Sequence, residues 1–269
     1  LYCRSYLSCI IAVFIKLSLF RKYNIIFDTR GLFFDELIDL EVRFSSFLFP
    51  FFKVIENILL KNSKLIICVS AAQKSVYINR APCATERLIV VPNVTTLGNV
   101  EDIRDAEVLK IIALGSLSKW HCPQRIAEFG VSLSKVKVNT ELHIITRNLK
   151  VANSYFFDIP GVKIYAHDFR NRPISFDYGI CFIKSSLSKF VCFPVKLAEY
   201  LASKTKIIYS NNVDIHNLYL GSPIHIGVDI DNFDSDFLAQ NIVQHWFENR
   251  STDSLLPDDF NAALSPALL

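Results

Sequence analysis

Short runs of β-branched and aliphatic residues alternate along this chain with longer stretches in which apolar and polar positions mix. Asn24–Asp28 (NIIFD), Lys64–Ser70 (KLIICVS) and Arg87–Val91 (RLIVV) are apolar at consecutive positions, as strands buried on both faces are. A long helical pattern runs from Phe34 to Lys61, and Pro50 is expected to break or kink it. The polar segment from Asn93 to Asp105, which holds Gly98, reads as an interdomain linker. The rhythm then restarts with Lys110–Leu114, Glu141–Thr146, Val162–Tyr165, Asp177–Ile183, Lys206–Tyr209 and Ile224–Val228. Helical segments separate most of these runs, which implies a parallel sheet with helices on both faces. The fold class expected is α/β, with two Rossmann-like β/α/β domains over residues 1–98 and 99–269. Six strands suffice for a doubly wound sheet in the second domain. Three are few for the first, so its opening strands are expected to be missing from this sequence, with a small subdomain as the alternative.

Composition narrows the class. The chain is 51% hydrophobic and 20% charged, enough for a sizeable core and too apolar for wholesale disorder. A net charge of +3, without a basic run, gives no case for a nucleic-acid partner. The seven cysteines are scattered and form no CxxC pair, which fits a reducing, cytoplasmic compartment and argues against a zinc knuckle. Tyr6 to Phe20 is strongly apolar but shorter than the ~20 residues of a bilayer span, and Lys16 interrupts it. A signal peptide is the alternative there, but no small-residue cleavage site precedes Arg21-Lys22, and a buried helix is expected. The sequence begins with Leu and contains no Met, which suggests that it is incomplete or processed.

Ligands of open α/β sheets sit outside the carboxyl ends of the strands, so the residues that follow each strand are the ones to question. The most informative stretch is Phe193-Pro194-Val195-Lys196-Leu197-Ala198-Glu199-Tyr200, ahead of the strand Lys206–Tyr209. Pro194 suits the first turn of a helix, which would present free N–H groups and a positive dipole end to an anion. Lys196 in that first turn opposes the dipole and is tolerated if a phosphate stands before it. Glu199 lies one turn deeper on the same face, where a carboxylate accepts hydrogen bonds from vicinal hydroxyls such as those of a ribose. An ordinary exposed Lys–Glu pair on an amphipathic helix reads from the same residues.

PVKLAEYLASKTKII resembles the "P-x-K-x-x-E-[YF]-[LM]-A…[PK]-[VI]-I" segment of retaining, family-4-type glycosyltransferases of the GT-B fold. Ile26–Glu36 (IIFDTRGLFFDE, with Ile25) is similar to their "D-x-R-G-x-x-x-[DE]-E" turn, and Leu65–Val94 to their "VS…[IV]-x-V-[IV]-P-N-[GV]" signature. The three segments occur in the family's order. The resemblance implies transfer of a sugar from a nucleotide-diphosphate-sugar to a glycan or lipid-linked acceptor, with retention and without metal or cofactor, in bacterial surface-polysaccharide synthesis. It implies Glu199 at the donor ribose, and Lys196, Pro194 and the Gly115 turn near the diphosphate. Ser116 stands where many relatives carry Arg, and His121 where they carry Lys, so Lys119 or Lys196 must serve instead. Val191 occupies the first position of the family's E-x7-E pair, leaving main-chain groups of Phe190–Phe193 to meet the sugar. Such losses also fit a non-catalytic nucleotide-sugar-binding protein or an inactive remnant.

In the first domain, Asp28 and Arg30 end a strand and are expected to face the interdomain cleft. Arg30 reads either as a partner for a phosphate or acidic acceptor group, or as half of an ion pair with Asp28 or Glu36. Thr146 and Arg147 border the donor or form a solvated loop. His143 and His225 read as packed strand residues, His167 and His216 lack partners at metal-ligand spacing, and Asp229–Asp236 reads as a helix-capping loop. No HExxH or other DxD-type metal cluster is read from the sequence beyond that acidic run. Arg43–Lys64 combines five phenylalanines with basic residues. A peripheral contact at the inner face of the cytoplasmic membrane is one reading of that stretch, and a core helix is the expected one.

Overall fold

The computed structural model describes residues 1–20, 22–94, 107–166, 175–211 and 225–249. Most of the expected linker, together with His167 and His216, lies outside them. The described residues form two compact units, Leu1–Asn93 with Ser186–Phe193, and Val94–Ser185 with Pro194–Asn249.

The first unit holds a parallel sheet of β1 (Tyr2–Arg4), β2 (Ile26–Asp28), β3 (Leu65–Cys68) and β4 (Leu88–Val90), in that spatial order. Four strands therefore stand where three were expected. β1 escaped notice because its three residues run straight into a helix and show no apolar run of their own. Cys3, Phe27, Ile66 and Leu88 share one register line and are all buried. Spatial order equal to chain order, with right-handed crossovers, puts the intervening helices on one side of the sheet. These are α1 (Tyr6–Ser18), α2 (Phe33–Asp39), α3 (Ser45–Asn62) and α4 (Ala71–Arg80). Tyr6, Leu59, Leu60 and Tyr77 from them close the core over that face. On the opposite face, Tyr2, Ile26, Leu65, Ile67 and Ile89 are half-buried or exposed.

Two expectations are corrected here. α1 buries only Tyr6, Cys9, Ala12 and Val13, while Leu7, Ile11 and Phe14 face outward, so it is not a buried helix. The helical pattern breaks at residues 40–44, where Glu41 and Phe44 take left-handed φ values of 54° and 64°. Pro50 sits inside α3 without ending it. Near the helix start and on its exposed side, it deprives only the Ser46 carbonyl of a backbone donor, and water can replace that donor.

The stretch Ser186–Phe193, assigned to the second domain by position in sequence, packs with the first unit. It carries the short helix α7 (Leu187–Phe190). Lys189 Nζ meets Glu36 Oε1 at 2.5 Å, and the Ser188 N–H donates to Asp39 Oδ2 at 3.2 Å. Ser70, which caps α4 by accepting from the Gln73 N–H, donates its hydroxyl to the Val191 carbonyl at 2.7 Å. Val191 itself is fully buried in the first unit's core.

The second unit is a six-stranded parallel sheet ordered β10-β9-β8-β5-β6-β7. Its strands are β5 (Leu109–Leu114), β6 (Thr140–Thr146), β7 (Val162–Ala166), β8 (Tyr178–Cys181), β9 (Lys206–Ser210) and β10 (Ile226–Val228). Each was expected within a residue or two at its ends. One layer, α5 (Pro123–Leu133), α6 (Leu149–Phe156) and α9 (Ser235–Glu248), packs Phe129, Phe156, Ile242 and Trp246 onto Ile111, Ile144, Ile180 and Ile208. α8 (Val195–Ala202) covers the other face through Tyr200, whose ring lies over Gly179. From β5 the chain winds first toward β7, then returns to β8 and winds the other way. The order therefore reverses between β5 and β8, the crevice at which doubly wound sheets take their ligands.

Candidate functional site

The β5–β8 pairing is short. Register partners run only from Ile111↔Tyr178 to Ile112↔Gly179, and beyond them the strands part toward their carboxyl ends. The Tyr200 hydroxyl fills the opening. It accepts from the Leu114 N–H at 2.9 Å and donates to the Ile180 carbonyl at 3.2 Å. Burial raises this phenol well above its ordinary pKa, against the Leu114 N–H, which lowers it. It therefore stays a donor throughout the physiological range. A Cβ on Gly179 would stand 2.6 Å from the Tyr200 ring, so only glycine fits there. Neither residue was singled out in the sequence.

Gly115 follows β5 at φ 101°, a conformation that excludes most side chains, and its N–H continues the ladder to Ile145 at 2.8 Å. A side chain at Gly115 would meet open space, so the requirement is for backbone shape. Ser116 is exposed and its hydroxyl accepts from the Ser118 N–H, while Ser118 meets His121 Nδ1 at 3.2 Å. Lys119 is exposed and lies over the Trp120 ring, 5.9 Å from its centroid. The Trp120 carbonyl accepts from the Lys184 N–H at 2.9 Å, which joins the loop after β5 to the loop after β8.

α8 opens at these loops. Pro194, at φ −65°, is the residue immediately before the helix and not its first residue, one position from expectation, and its carbonyl accepts from the Leu197 N–H. Lys196 is the second residue of α8 and is only 9% exposed. Its charge is felt by two thiols, Cys181 at the end of β8 and Cys122 at the start of α5. Burial pushes both thiols up, and the Lys196 cation acts against it at both. Glu199, one turn deeper, is half-buried. Thr146 ends β6 fully buried, and its hydroxyl accepts from the Asn148 N–H at 3.2 Å, so it shapes a turn. Arg147 beside it is exposed. The second unit thus gathers Gly115, Lys196 and the amide end of α8 at the carboxyl ends of β5 and β8.

In the first unit, Asp28 is buried at the end of β2 and bonded by the Tyr2 hydroxyl at 2.5 Å. Arg30 follows at φ 60°, with Nε 2.9 Å from Asp28 Oδ2 and Nη1 donating to Asn93 Oδ1 at 2.8 Å. Of the two ion pairs weighed for Arg30 the structure forms the one with Asp28, since Glu36 is taken by Lys189. The turn is held from beneath by residues the sequence did not flag. Gln73 donates to Thr29 Oγ1 at 2.9 Å and Tyr77 donates to the Gly31 carbonyl at 3.2 Å.

Several of the main-chain groups near Val191 are already bonded within the first unit. The N–H groups of Phe190, Val191 and Cys192 donate within the α7 turn, and the Val191 and Phe193 carbonyls accept from Ser70 and Asn93. His143 is a packed strand residue between Tyr165 and Phe176, with Nε2 on Glu141 at 2.9 Å. His225 precedes β10 and accepts from the Ile207 N–H at 3.1 Å. Asp229 and Asp234 form the capping loop, Asp234 accepting from the Phe237 N–H. Among the described residues no group of His, Cys, Asp and Glu is placed to hold a metal ion.

No protein-family model and no curated protein matches the chain. Solved structures do. A sucrose-phosphate synthase from Thermosynechococcus elongatus matches with a TM-score of 0.70 over 99% of this chain and 69% of its own, at 12% identity. HepE from Anabaena, in complex with UDP-glucose, matches with a TM-score of 0.70 over 99% of this chain and 74% of its own, at 11% identity. A glycosyltransferase from Rickettsia africae matches at 15% identity, with a TM-score of 0.59 over 96% of this chain and 75% of its own. The fold is GT-B, two Rossmann-like units each built on a parallel sheet.

Proposed function

We propose that the protein is a glycosyltransferase that moves a sugar from a nucleotide-diphosphate-sugar to a glycan or lipid-linked acceptor, with retention, in surface-polysaccharide synthesis on the cytoplasmic side of the membrane. The observation that carries this reading is the buried Lys196 in the first turn of α8, beside the β5–β8 switch point. A cation there opposes the helix dipole, and a diphosphate in front of it would reverse the sign of that interaction. The Gly115 turn lets the backbone approach the same anion, and Glu199 lies a turn away for the ribose hydroxyls. Pro194 sets the helix start, and Ser116, Lys119 and Thr146 border the donor. Catalysis then rests on positioning and on stabilising the departing diphosphate, through Lys196 and the amides of α8, with neither metal nor cofactor. Asp28 orients Arg30, which is the first unit's cation for a phosphate or an acidic acceptor group. HepE, with UDP-glucose bound, supports the donor class.

Isothermal titration with UDP and UDP-glucose tests the donor site. Glu199→Ala should weaken binding at least tenfold, about 1.4 kcal/mol. Undiminished binding in that variant removes Glu199 from the ribose site. A second reading, binding without transfer, draws on Val191, which is sealed in the first unit's core, and on Ser116 and His121 where relatives carry cations. Release of nucleoside diphosphate on incubation with donor and acceptor separates the two. In an enzyme Lys196→Met should slow that release by roughly a hundredfold; a binding protein releases none.

A further inference from the structure

We propose that Lys184 is a second cation of the donor site and binds the diphosphate of the nucleotide-sugar, where Ser116 and His121 replace the cations of the resembled family. This rests on the transferase reading and adds a residue to its donor site. Lys184 follows β8 at the carboxyl end of the sheet, and hydrogen bonds fix the chain there from both sides. The Ile183 N–H donates to Ser210 Oγ, at the end of β9, at 2.8 Å, and the Lys184 N–H donates to the Trp120 carbonyl at 2.9 Å. The backbone of Lys184 is thus tied to the loop that carries Gly115 and Ser116, across the gap where β5 and β8 part. Tyr178, Ile180 and Phe182 all enter the core on the α5 side, and the same two-residue period puts Lys184 on that side. The Cys122 thiol, which opens α5, registers these charges. Burial pushes it up, and Lys196, Arg125 and Lys184 draw it back against Asp231.

Charge identifies the ligand. The loops after β5, β6 and β8 (residues 115–122, 147–148 and 182–185) hold Lys119, Arg147 and Lys184 and no carboxylate. Lys196 adds a buried cation in the first turn of α8. Cations gathered at one end of a sheet raise the potential there, and a bound polyanion relieves it. A diphosphate carries more negative charge than Lys196 alone can match. Lys119 is drawn over the Trp120 ring, and Arg125 is paired with Glu128. Lys184 is exposed, and no carboxylate among the described residues pairs with it. Its main chain is already held by both neighbouring strands, so meeting an anion orders only the side chain. A lysine ammonium serves such an anion as a point charge, without the fixed fork of an arginine.

Isothermal titration with uridine and with UDP tests the proposal. The unaltered protein should bind UDP more tightly than uridine. Lys184→Gln should weaken UDP binding about tenfold and leave uridine binding unchanged, so that the two affinities draw together. Added salt should weaken UDP binding less in this variant than in the unaltered protein. Lys184→Arg, which keeps the charge, should retain most of the affinity. Lys137→Gln removes the same charge ahead of β6, at the opposite end of the sheet, and should change neither ligand. The altered side chains are exposed, and unchanged thermal melts would certify each fold. Absence of UDP binding by the unaltered protein would overturn the donor-site reading and this inference together. UDP affinity left intact by Lys184→Gln, with binding by the unaltered protein, would overturn this inference alone. So would an equal loss for uridine and UDP, which marks a structural role, or a loss in Lys137→Gln as large as that in Lys184→Gln, which marks overall charge.

Discussion

A phenol hydroxyl takes over where a backbone ladder ends. β5 and β8 stop pairing at Ile112↔Gly179, and Tyr200 bonds the next donor and acceptor on either side. Tyr200→Phe leaves the buried Leu114 N–H without this acceptor and should cost about 1–3 kcal/mol in chemical denaturation. Gly179→Ala drives a methyl into the ring and should cost at least as much; wild-type stability in either variant would refute this account of the switch point. His225 makes a prediction about pH. Burial, with His245 and Lys206 nearby, lowers its pKa to about 4, from an ordinary value near 6.5. The unfolded chain then binds more protons between those values, so stability present above pH ~6.5 is lost as pH falls toward 4, by something of order 2 kcal/mol. His225→Asn keeps an acceptor for the Ile207 N–H without titrating there, and should flatten urea-denaturation stability across that window. That Lys196 and Glu199 share one helix opening at Pro194 was legible in the sequence because a proline, a cation and a carboxylate stand at helical spacing. Tyr200 lies in the same segment but was not legible, because its partners are main-chain groups 86 and 20 residues away that carry no side-chain signature.

At the scale of elements, a buried charge cluster ties three helices of the first unit together. Arg80 of α4 bonds Asp35 of α2 through both terminal nitrogens and Glu56 of α3 through one, and Lys53 of α3 bridges the same two carboxylates. Burial pushes the Asp35 carboxyl up, but Arg80 and Lys53 outweigh it and hold it below the ordinary carboxylate value. That contribution is present above the unfolded pKa and fades as pH falls through about 4 and below. Arg80→Met removes one of the two cations that Asp35 and Glu56 share and leaves Lys53 to serve both, and should lower stability by about 3 kcal/mol, the low end for a broken buried pair, in denaturant titration. An effect under about 1 kcal/mol would show that the cluster is incidental. Strands and helices were read well where long apolar runs announced them. The break between α2 and α3 was misplaced because Pro50, a strong local signal, is tolerated near an exposed helix start. The actual break at Glu41 and Phe44 uses residues with no preference for a left-handed backbone.

At the scale of the whole molecule, two units were legible from the rhythm that stops near Asn93 and restarts at Leu109. The return of Ser186–Phe193 to the first unit was not, because those residues adjoin the helix at Pro194 and offer no composition of their own. This return makes a prediction about repair. Val191→Glu would supply the first carboxylate of the E-x7-E pair that the resembled family carries, yet it places a charge in a sealed core and should unfold the first unit, not raise any donor turnover. A variant with an unchanged melt and faster donor turnover would contradict this. Exchange of parts between relatives is constrained in the same way. A recombinant spliced at a single junction after Asn93 would inherit α4 from one parent and, from the other, the Val191 carbonyl that the Ser70 cap bonds. Faithful hybrids of this architecture therefore need at least three crossovers, with an eight-residue passenger travelling alongside the amino-terminal unit.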